Sequence, residues 1–439
     1  MWVLTSFFAL TTLLLAWLCA AYFVVLCFTS FLRRRPIAPL PDAYPTMSVM
    51  IACYNEAGLI EEKVRNLAAC DYPRDRLEIV FVDGGSSDDT VARLHRAIPT
   101  GLPARVVVSP RKGKIHQLNH VLPQLRGEII VNTDADARMR GDCLKQLAAE
   151  FAYDRGAGAV GAFSFATNTI WRDRCFWDSQ NRGRLIESDA GSSSIVIATC
   201  YAFRRDLLEQ FPEDVVADDV YVGFLANSLN QRVIYSRQAI VEEVRGPAHI
   251  SEFLSHKFRK NNAFLRESLR FLYRLPDMSN FARMMMLTRV GQQLLLPYAV
   301  GLWSVLALTL FTMGRFDLLV VAAASLALLV MITNRAFHCV AVPPGTIKRF
   351  GLLKQGAVFF DTLAVLFAAA LSYPFYRQNS SYSRLGETVP TRLPIAETEI
   401  SADAPLLTRR MAFVRRPPSP LAAGAIRRNG TIAATGPRV

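Results

Sequence analysis

Between residues 41 and about 275, short apolar runs alternate with stretches in which apolar positions recur at helical spacing. This alternation is typical of a mostly parallel sheet covered by helices. Strands are predicted at residues 47–52, 77–82, 104–108 and 128–132, and polar residues follow each of them. Because parallel strands that end together form the ligand crevice of an open α/β sheet, we expect the functional residues at these strand ends.

The two ends of the chain have a different pattern. Residues 2–32 contain no charged side chain, and three arginines follow at positions 33–35. A stretch of this length spans a bilayer, and the basic cluster predicts an outside N-terminus and a cytoplasmic continuation. A cleaved signal peptide is the alternative, but it requires a basic start and a shorter apolar core. Three further spans are predicted at residues 294–313, 318–332 and 357–375.

These patterns divide the chain into four parts. They are an N-terminal transmembrane helix (1–32), an α/β domain in the cytoplasm (41–275), an interfacial helix with about three spans (276–376), and a basic tail (377–439) that we expect to be disordered. With four spans the tail, which carries ten arginines and four acids, would lie outside, against the positive-inside tendency. We predict an integral protein of the plasma (inner) membrane.

The overall charge refines the choice of partners. The hydrophobic content is 51% and the formal net charge is +13. The basic residues flank the predicted spans or lie in the tail, and no nucleic-acid-binding module is recognisable. Membrane lipids are therefore the expected charged partner, and nucleic acid is not.

The predicted strand at 128–132 leads into two carboxylates, Asp134 and Asp136. Carboxylates at i and i+2 beyond a strand end can share a hard divalent cation with a diphosphate. Taken alone, such a triplet is more often a pair of ordinary loop acids. Other polar motifs at neighbouring strand ends make handling of a nucleotide diphosphate the better hypothesis.

Three of these motifs have two interpretations each. Asp83, before a Gly-Gly-Ser-Ser turn, is either a turn-former or a hydrogen-bond acceptor for a base or ribose. Lys114 either lies in a solvated basic loop or places a cation beside a diphosphate. Asp218 and Asp219, at the start of a predicted amphipathic helix, either stabilise its N-terminus or supply a general base.

Together the motifs resemble family 2 glycosyltransferases over about residues 45–275. The matching segments are Tyr54-Asn55-Glu56, Val82-Asp83-Gly84-Gly85-Ser86-Ser87-Asp88, Lys112-Gly113-Lys114 with Asn119, Thr133-Asp134-Ala135-Asp136, and Ala217-Asp218-Asp219. The resemblance implies an α/β GT-A-like fold, a nucleotide-sugar donor that is usually a UDP-sugar, Mg²⁺ or Mn²⁺, and inversion at the anomeric carbon.

The resemblance also implies roles for individual residues. It assigns the nucleoside to Asn55, Glu56 and Asp83, the diphosphate to Lys114, nucleotide and metal to Asp134 and Asp136, and the catalytic base to Asp219 within the Asp218–Asp219 pair. The segment from Gly191-Ser192-Ser193-Ser194 through Phe203-Arg204-Arg205 resembles the part that lines the acceptor site.

One departure from the family pattern bears on the product. Processive synthases of cellulose, chitin and hyaluronan carry Gln-x-x-Arg-Trp, whereas this chain has His256-Lys257-Phe258-Arg259-Lys260. Arg259 matches the arginine and is predicted to bind the nucleotide sugar, but Lys260 replaces the aromatic platform. Transfer of one or a few sugars to a lipid-linked or saccharide acceptor at the membrane is therefore favoured over processive synthesis. A catalytically inactive scaffold and a transporter are the remaining hypotheses.

Overall fold

The computed structural model describes residues 1–33, 35–346 and 350–376. The predictions for the basic tail therefore lie outside the described residues.

The central domain is built on one eight-stranded sheet. Its strands are β1 (Met47–Cys53), β2 (Leu77–Asp83), β3 (Ala104–Val108), β4 (Ile129–Thr133), β5 (Ala137–Met139), β6 (Ala157–Ala166), β7 (Cys200–Arg204) and β8 (Arg232–Glu243). They are arranged in the order β3-β2-β1-β4-β7-β6-β8-β5. The first four are parallel and correspond to the four predicted strands, while β7 runs antiparallel to both β4 and β6.

Thirteen α-helices occur in the described residues. They are α1 (Trp2–Ala16), α2 (Tyr22–Arg33), α3 (Ile60–Ala68), α4 (Thr90–Ala97), α5 (Lys114–Val121), α6 (Cys143–Tyr153), α7 (Trp171–Ala190), α8 (Asp218–Ser228), α9 (Ile250–Arg270), α10 (Asn280–Val290), α11 (Leu296–Thr312), α12 (Phe316–Cys339) and α13 (Leu352–Ser372). Single π-turns at Trp17–Ala21 and Gly291–Leu295 join α1 to α2 and α10 to α11.

Helices cover both faces of the sheet. On one face, Val49 and Ile51 of β1 pack in a core with Val64 of α3 and Leu144 of α6. On the other face, Met50 packs in a second core that includes residues of α5 and α8. Because the central strands are buried on both faces, their sequences are continuous apolar runs rather than alternating ones.

Helix α8 differs from its prediction. We expected an amphipathic helix, but α8 is buried on nearly every side. At Gly223 the helix approaches the backbone of Ile195 so closely that an added Cβ would lie 2.6 Å from the Ile195 Cα. The helix therefore lacks a broad solvent face, and its two N-terminal acids are held inside the domain.

Four helical segments are long and apolar enough to cross a membrane: Trp2–Phe31, Asn280–Thr312, Phe316–Cys339 and Leu352–Ser372. Each overlaps a predicted span, and the chain is a membrane protein. The first two segments contact through polar groups as well as apolar ones. The Trp17 Nε1 donates to the Thr288 hydroxyl at 3.1 Å, and the Gln292 Nε2 donates to the Leu18 carbonyl at 2.8 Å.

Candidate active site

A cavity of about 570 Å³ opens at the carboxyl ends of β1 and β4. It brings together seven of the nine residues predicted to act in the site. The seven are Glu56, Lys114, Asp134, Asp136, Asp218, Asp219 and Arg259. Glu56 and Arg259, which are 203 positions apart in sequence, thus line one cavity. The acids after β1 and β4 meet there because parallel strands end at one edge of the sheet.

Lys114 links the two acidic pairs. Its Nζ lies 2.9 Å from Asp134 Oδ1 and 3.2 Å from Asp218 Oδ1. The lysine is the first residue of α5, and the preceding Gly113 has a φ of 112°, a conformation that favours glycine. The turn therefore points the ammonium group into the cavity, where an anionic ligand could exchange for the carboxylates.

A second cation holds the other carboxylates. Arg245, just after β8, donates from Nη2 to Glu56 Oε2 at 2.7 Å and from Nε to Asp136 Oδ2 at 3.1 Å. Sequence reasoning missed Arg245. Two basic residues thus neutralise the acids of the predicted nucleotide and metal site.

The two aspartates of α8 have different environments. Asp218 is 3% exposed, and its Oδ2 accepts hydrogen bonds from Asn132 Nδ2 at 2.9 Å and the Tyr201 hydroxyl at 2.7 Å. Asp219 lines the cavity, and its Oδ2 accepts from the backbone N–H of Ala198 at 3.1 Å. Asp218 is therefore fixed by side-chain hydrogen bonds, whereas the carboxylate of Asp219 accepts from backbone N–H groups beside the cavity.

The pKa of Asp219 is raised. Burial is the main cause, the negative charge of Asp218 adds to it, and Lys260 and Lys114 oppose it. A raised pKa makes the carboxylate a stronger base than an exposed aspartate. This is the electrostatic setting that a general base requires.

Asp83 and Asn55 lie beside the cavity, outside the residues that line it. Asp83 is 1% exposed, and its Oδ2 accepts from the backbone N–H groups of Gly85 and Ser86, both at 2.9 Å. Asn55, with a φ of 51°, accepts the Ser87 N–H on its Oδ1 at 2.7 Å. Both side chains hold the turn after β2, and their binding of a nucleoside stays a prediction.

The wall of the cavity toward the apolar helices is formed by α7, α9 and the end of β8. Lys260 Nζ lies 5.2 Å from the ring centre of Trp177, and the Arg184 guanidinium lies 6.0 Å from it. An indole is thus present beside Lys260, contributed by another helix. Trp177 is only 6% exposed and cations lie against it, so its ring does not offer an open stacking face.

Two further groups in this wall were missed by the sequence analysis. Arg184 is 8% exposed, and its Nε and Nη1 have no hydrogen-bond partner among the described residues. Burial lowers the pKa of this guanidinium. Glu243, at the end of β8, has a pKa raised to about 7, mainly by burial. A buried guanidinium with two unsatisfied nitrogens is costly, so an anionic ligand is the expected partner of these two atoms.

Comparison with known proteins identifies the domain. Residues 48–211 match the family model described as Glycosyl transferase family 2. The chain carries a family 2 glycosyltransferase domain. The chain is 37% identical over 112 residues to a beta-monoglucosyldiacylglycerol synthase of Synechocystis, a match that covers 25% of this chain and 23% of that protein. It is 26% identical over 313 residues to an N-acetylglucosaminyltransferase of Rhizobium leguminosarum, covering 65% of this chain and 70% of that one.

The solved structure of a Pyrobaculum calidifontis mannosyltransferase, determined with GDP-Man and Mn²⁺, is also similar. It is 26% identical, has a TM-score of 0.61, and is matched over 83% of this chain and 99% of its own. This match and the family model confirm the predicted GT-A-like fold. The matches to the three monoglucosyldiacylglycerol synthases cover less than a third of each, so they identify a domain and not a whole protein.

Within this glycosyltransferase domain, only part of the predicted acceptor segment lies at the cavity. Ser194, Ile195, Ile197 and Ala198 line it. Arg204, at the far end of β7, instead donates to the Ala157 carbonyl at 2.8 Å. The segment therefore contributes one wall of the cavity through its first half, while its second half stabilises the sheet.

The carboxylates in this cavity are the kind of ligand that a divalent cation prefers. No group of three or more His, Cys, Asp or Glu side chains among the described residues forms a complete metal cage. Asp134 and Asp136 nevertheless face one cavity with two carboxylates, and Mg²⁺ commonly binds one or two carboxylates together with substrate phosphates. The donor set fits a cation that is held jointly with a diphosphate.

Proposed function

We propose that the chain transfers a sugar from a nucleotide-sugar donor to a lipid-linked or saccharide acceptor at the membrane, with inversion. The observation that carries the proposal is the position of Asp219. This carboxylate, with its raised pKa, faces the same cavity as Asp134, Asp136 and Lys114. A base and a diphosphate-binding cluster in one cavity are the two parts that a single displacement requires.

The donor would lie at the strand ends. Lys114 and Arg245 would exchange their carboxylate partners for diphosphate oxygens, and Asp134 and Asp136 would hold a divalent cation. That cation, Mg²⁺ or Mn²⁺, would neutralise charge on the leaving diphosphate. Asn55, Glu56 and Asp83 are assigned to the nucleoside side, and Arg259 to the diphosphate side.

The acceptor would enter from the opposite wall. Its hydroxyl oxygen attacks the anomeric carbon, the bond from that carbon to the diphosphate oxygen breaks, and the hydroxyl proton passes to Asp219. Asp218 is held by Lys114, Asn132 and Tyr201 and fixes the start of α8. The product is a glycoside of inverted configuration and a nucleoside diphosphate.

The placement of the cavity supports a membrane acceptor. Arg289 and Gln293, in the half of the segment Asn280–Thr312 that is nearer the domain, belong to its lining. We infer that the domain faces the cytoplasm of the plasma membrane, with the acceptor supplied by the bilayer. Addition of one or a few sugars is favoured over processive synthesis, because Trp177 does not offer the open face that a growing chain would stack on.

Release of nucleoside diphosphate by the purified protein in lipid tests the proposal. The panel contains UDP- and GDP-sugars, with membrane lipids as acceptors, in Mn²⁺, in Mg²⁺ and in chelator. The expected result is metal-dependent release from one donor that is lost in Asp219→Asn. Absence of release from every donor by a folded protein, or equal release by the variant, would contradict the proposal.

A further inference from the structure

Helix α13 is long enough to cross a bilayer, yet its start is attached to the glycosyltransferase domain. Lys354 Nζ lies 5.5 Å from the ring centre of Trp171, the first residue of α7. Two turns later, Asp361 Oδ2 accepts from Arg172 Nε at 2.8 Å. Helix α7 packs on the sheet through Trp177 and Leu185, so the first half of α13 is attached to the domain.

The end of α13 is attached to the same domain. Just after the helix, the Tyr376 carbonyl accepts from Asn262 Nδ2 of α9 at 3.1 Å, and the Tyr376 ring lies 6.1 Å from the ring of Phe258. A helix of 21 residues is about 31 Å long, which is the thickness of the hydrocarbon core. A spanning α13 would carry Tyr376 that far from the domain, whereas Tyr376 contacts it.

The apolar segments pack together as a bundle, and the end of this bundle that contains the start of α1 is built without α13. There Phe8 of α1, Leu310 of α11 and Ala322 of α12 form a buried cluster, to which no described residue of α13 belongs. Helix α13 instead contributes Leu366 to a cluster with Leu18 and Leu296, which lie nearer to the domain along their segments than Phe8 and Leu310 do. Three helices therefore reach across the bundle, and α13 stays at its inner end.

We propose that α13 is a bilayer-surface helix rather than a membrane span. Its buried face packs on α7, α9 and the inner end of the bundle, and its exposed apolar face lies in the leaflet next to the glycosyltransferase domain. The exposed face carries Leu353, Phe360, Phe367, Leu371 and Phe375. The partner of this face is the acyl-chain and headgroup boundary of the bilayer, where amphipathic helices bind.

This arrangement has two consequences. The described residues then cross the membrane three times, which leaves Tyr376 on the side of the domain, and the ten arginines that follow it in the sequence agree with the positive-inside tendency. In addition, Thr362 of α13 lines the active-site cavity, so the cavity wall is formed by a helix that touches lipid. The side of the membrane on which the end of α13 lies does not depend on the proposed activity, and it is tested by a separate experiment.

Paired reporter fusions to the full chain decide the number of crossings. Green fluorescent protein or alkaline phosphatase is fused after residue 439, and the same reporters placed at Gly314, between α11 and α12, mark the opposite side. We expect fluorescence and no phosphatase activity at the C-terminus, and the reverse at Gly314. Active phosphatase with dark green fluorescent protein at the C-terminus would overturn the proposal.

The depth of α13 in the bilayer is the second measurement. Spin labels are placed singly at Leu353, Ala364 and Phe375 in protein reconstituted in lipid, with the exposed Cys339 replaced by serine. All three side chains are exposed, Leu353 at 91% and Phe375 at 92%. A surface helix gives three similar shallow depths, whereas a spanning helix gives a label at 364 about 15 Å deeper than the other two.

Discussion

Replacing Asp219 with asparagine tests the assignment of the base. The Asp219 Oδ2 accepts the Ala198 N–H at 3.1 Å, and an amide oxygen can accept the same hydrogen bond. The negative charge of Asp218 is one cause of the raised pKa of Asp219, so the ionised pair repels. Removing one of these charges relieves that repulsion. We therefore expect Asp219→Asn to fold normally, with a melting temperature no lower than that of the wild type.

The same substitution removes the proton acceptor. General base catalysis contributes about 10²- to 10⁴-fold, which corresponds to roughly 2.7–5.4 kcal/mol of transition-state stabilisation. We expect kcat to fall by at least about 100-fold. Donor affinity is expected to change by less than about threefold, because the ion pairs of the diphosphate cluster join Lys114 to Asp134 and Asp218 rather than to Asp219.

Asp218→Asn is the matched control on the neighbouring residue. Asp218 is buried and accepts from Lys114, Asn132 and Tyr201, whereas an asparagine has only one acceptor oxygen. Its NH₂ group would face a donor, and breaking the buried ion pair costs about 3–5 kcal/mol. We expect this variant to unfold at a lower temperature and to bind the donor more weakly.

The assay measures three quantities for each variant: nucleoside diphosphate release, donor affinity by titration calorimetry, and thermal unfolding. A kcat for Asp219→Asn within tenfold of the wild type, at unchanged donor affinity, would refute the assignment. A loss of stability in Asp219→Asn as large as that in Asp218→Asn would show that Asp219 is also mainly structural.

Three further predictions concern residues that were identified only in the structure. The pKa of Glu243 is raised from 4.5 to about 7. Between pH 4.5 and about pH 7 the folded protein therefore keeps a proton on Glu243 that the unfolded chain has lost, so the stability of the folded protein falls as pH rises through this range. Glu243→Gln is expected to gain up to about 3 kcal/mol over the wild type between pH 5 and pH 8 in denaturant unfolding, and an equal difference at both pH values would contradict this. Arg245→Met is expected to strengthen Mn²⁺ binding in the absence of donor, measured by calorimetry, because Arg245 pairs with Asp136; weaker binding would show that Arg245 supports the site instead. Arg184→Met is expected to raise the melting temperature and to lower kcat/KM, because a buried unpartnered cation is removed from the cavity; a lower melting temperature would indicate a structural role.

Local pattern predicted the parallel half of the domain well. Residues 47–52 and 77–82 form β1 and β2 almost as predicted, because strands buried on both faces require continuous apolar runs. Helix α8 was misjudged, since its environment is set by Ile195 and by the sheet, which lie far from it in sequence. Its two acids were predicted to act in catalysis, which stays a prediction, and their different environments depend on Tyr201 and Asn132.

The missed part of the site shows a similar limit. Glu243 and Arg245 follow an apolar run at residues 239–241, the same signal that drew attention to Asp134. They could therefore have been found by pattern. Trp177 and Arg184 lie in a charged helix with no distinguishing pattern, and only packing places them at the cavity. Similarly, length and apolarity alone cannot distinguish a membrane span from a surface helix such as α13, because α13 is as long and nearly as apolar as a span.

Transfer of a radiolabelled sugar from its nucleotide donor into the lipid or saccharide fraction of a reconstituted membrane tests the central claim most directly. Wild-type protein and Asp219→Asn are compared at equal amounts and equal donor occupancy. We predict metal-dependent incorporation by the wild type and at least about 100-fold less by the variant. Label that never leaves the donor in the wild type, or that is incorporated equally by both proteins, would contradict an inverting transferase that uses Asp219 as its base.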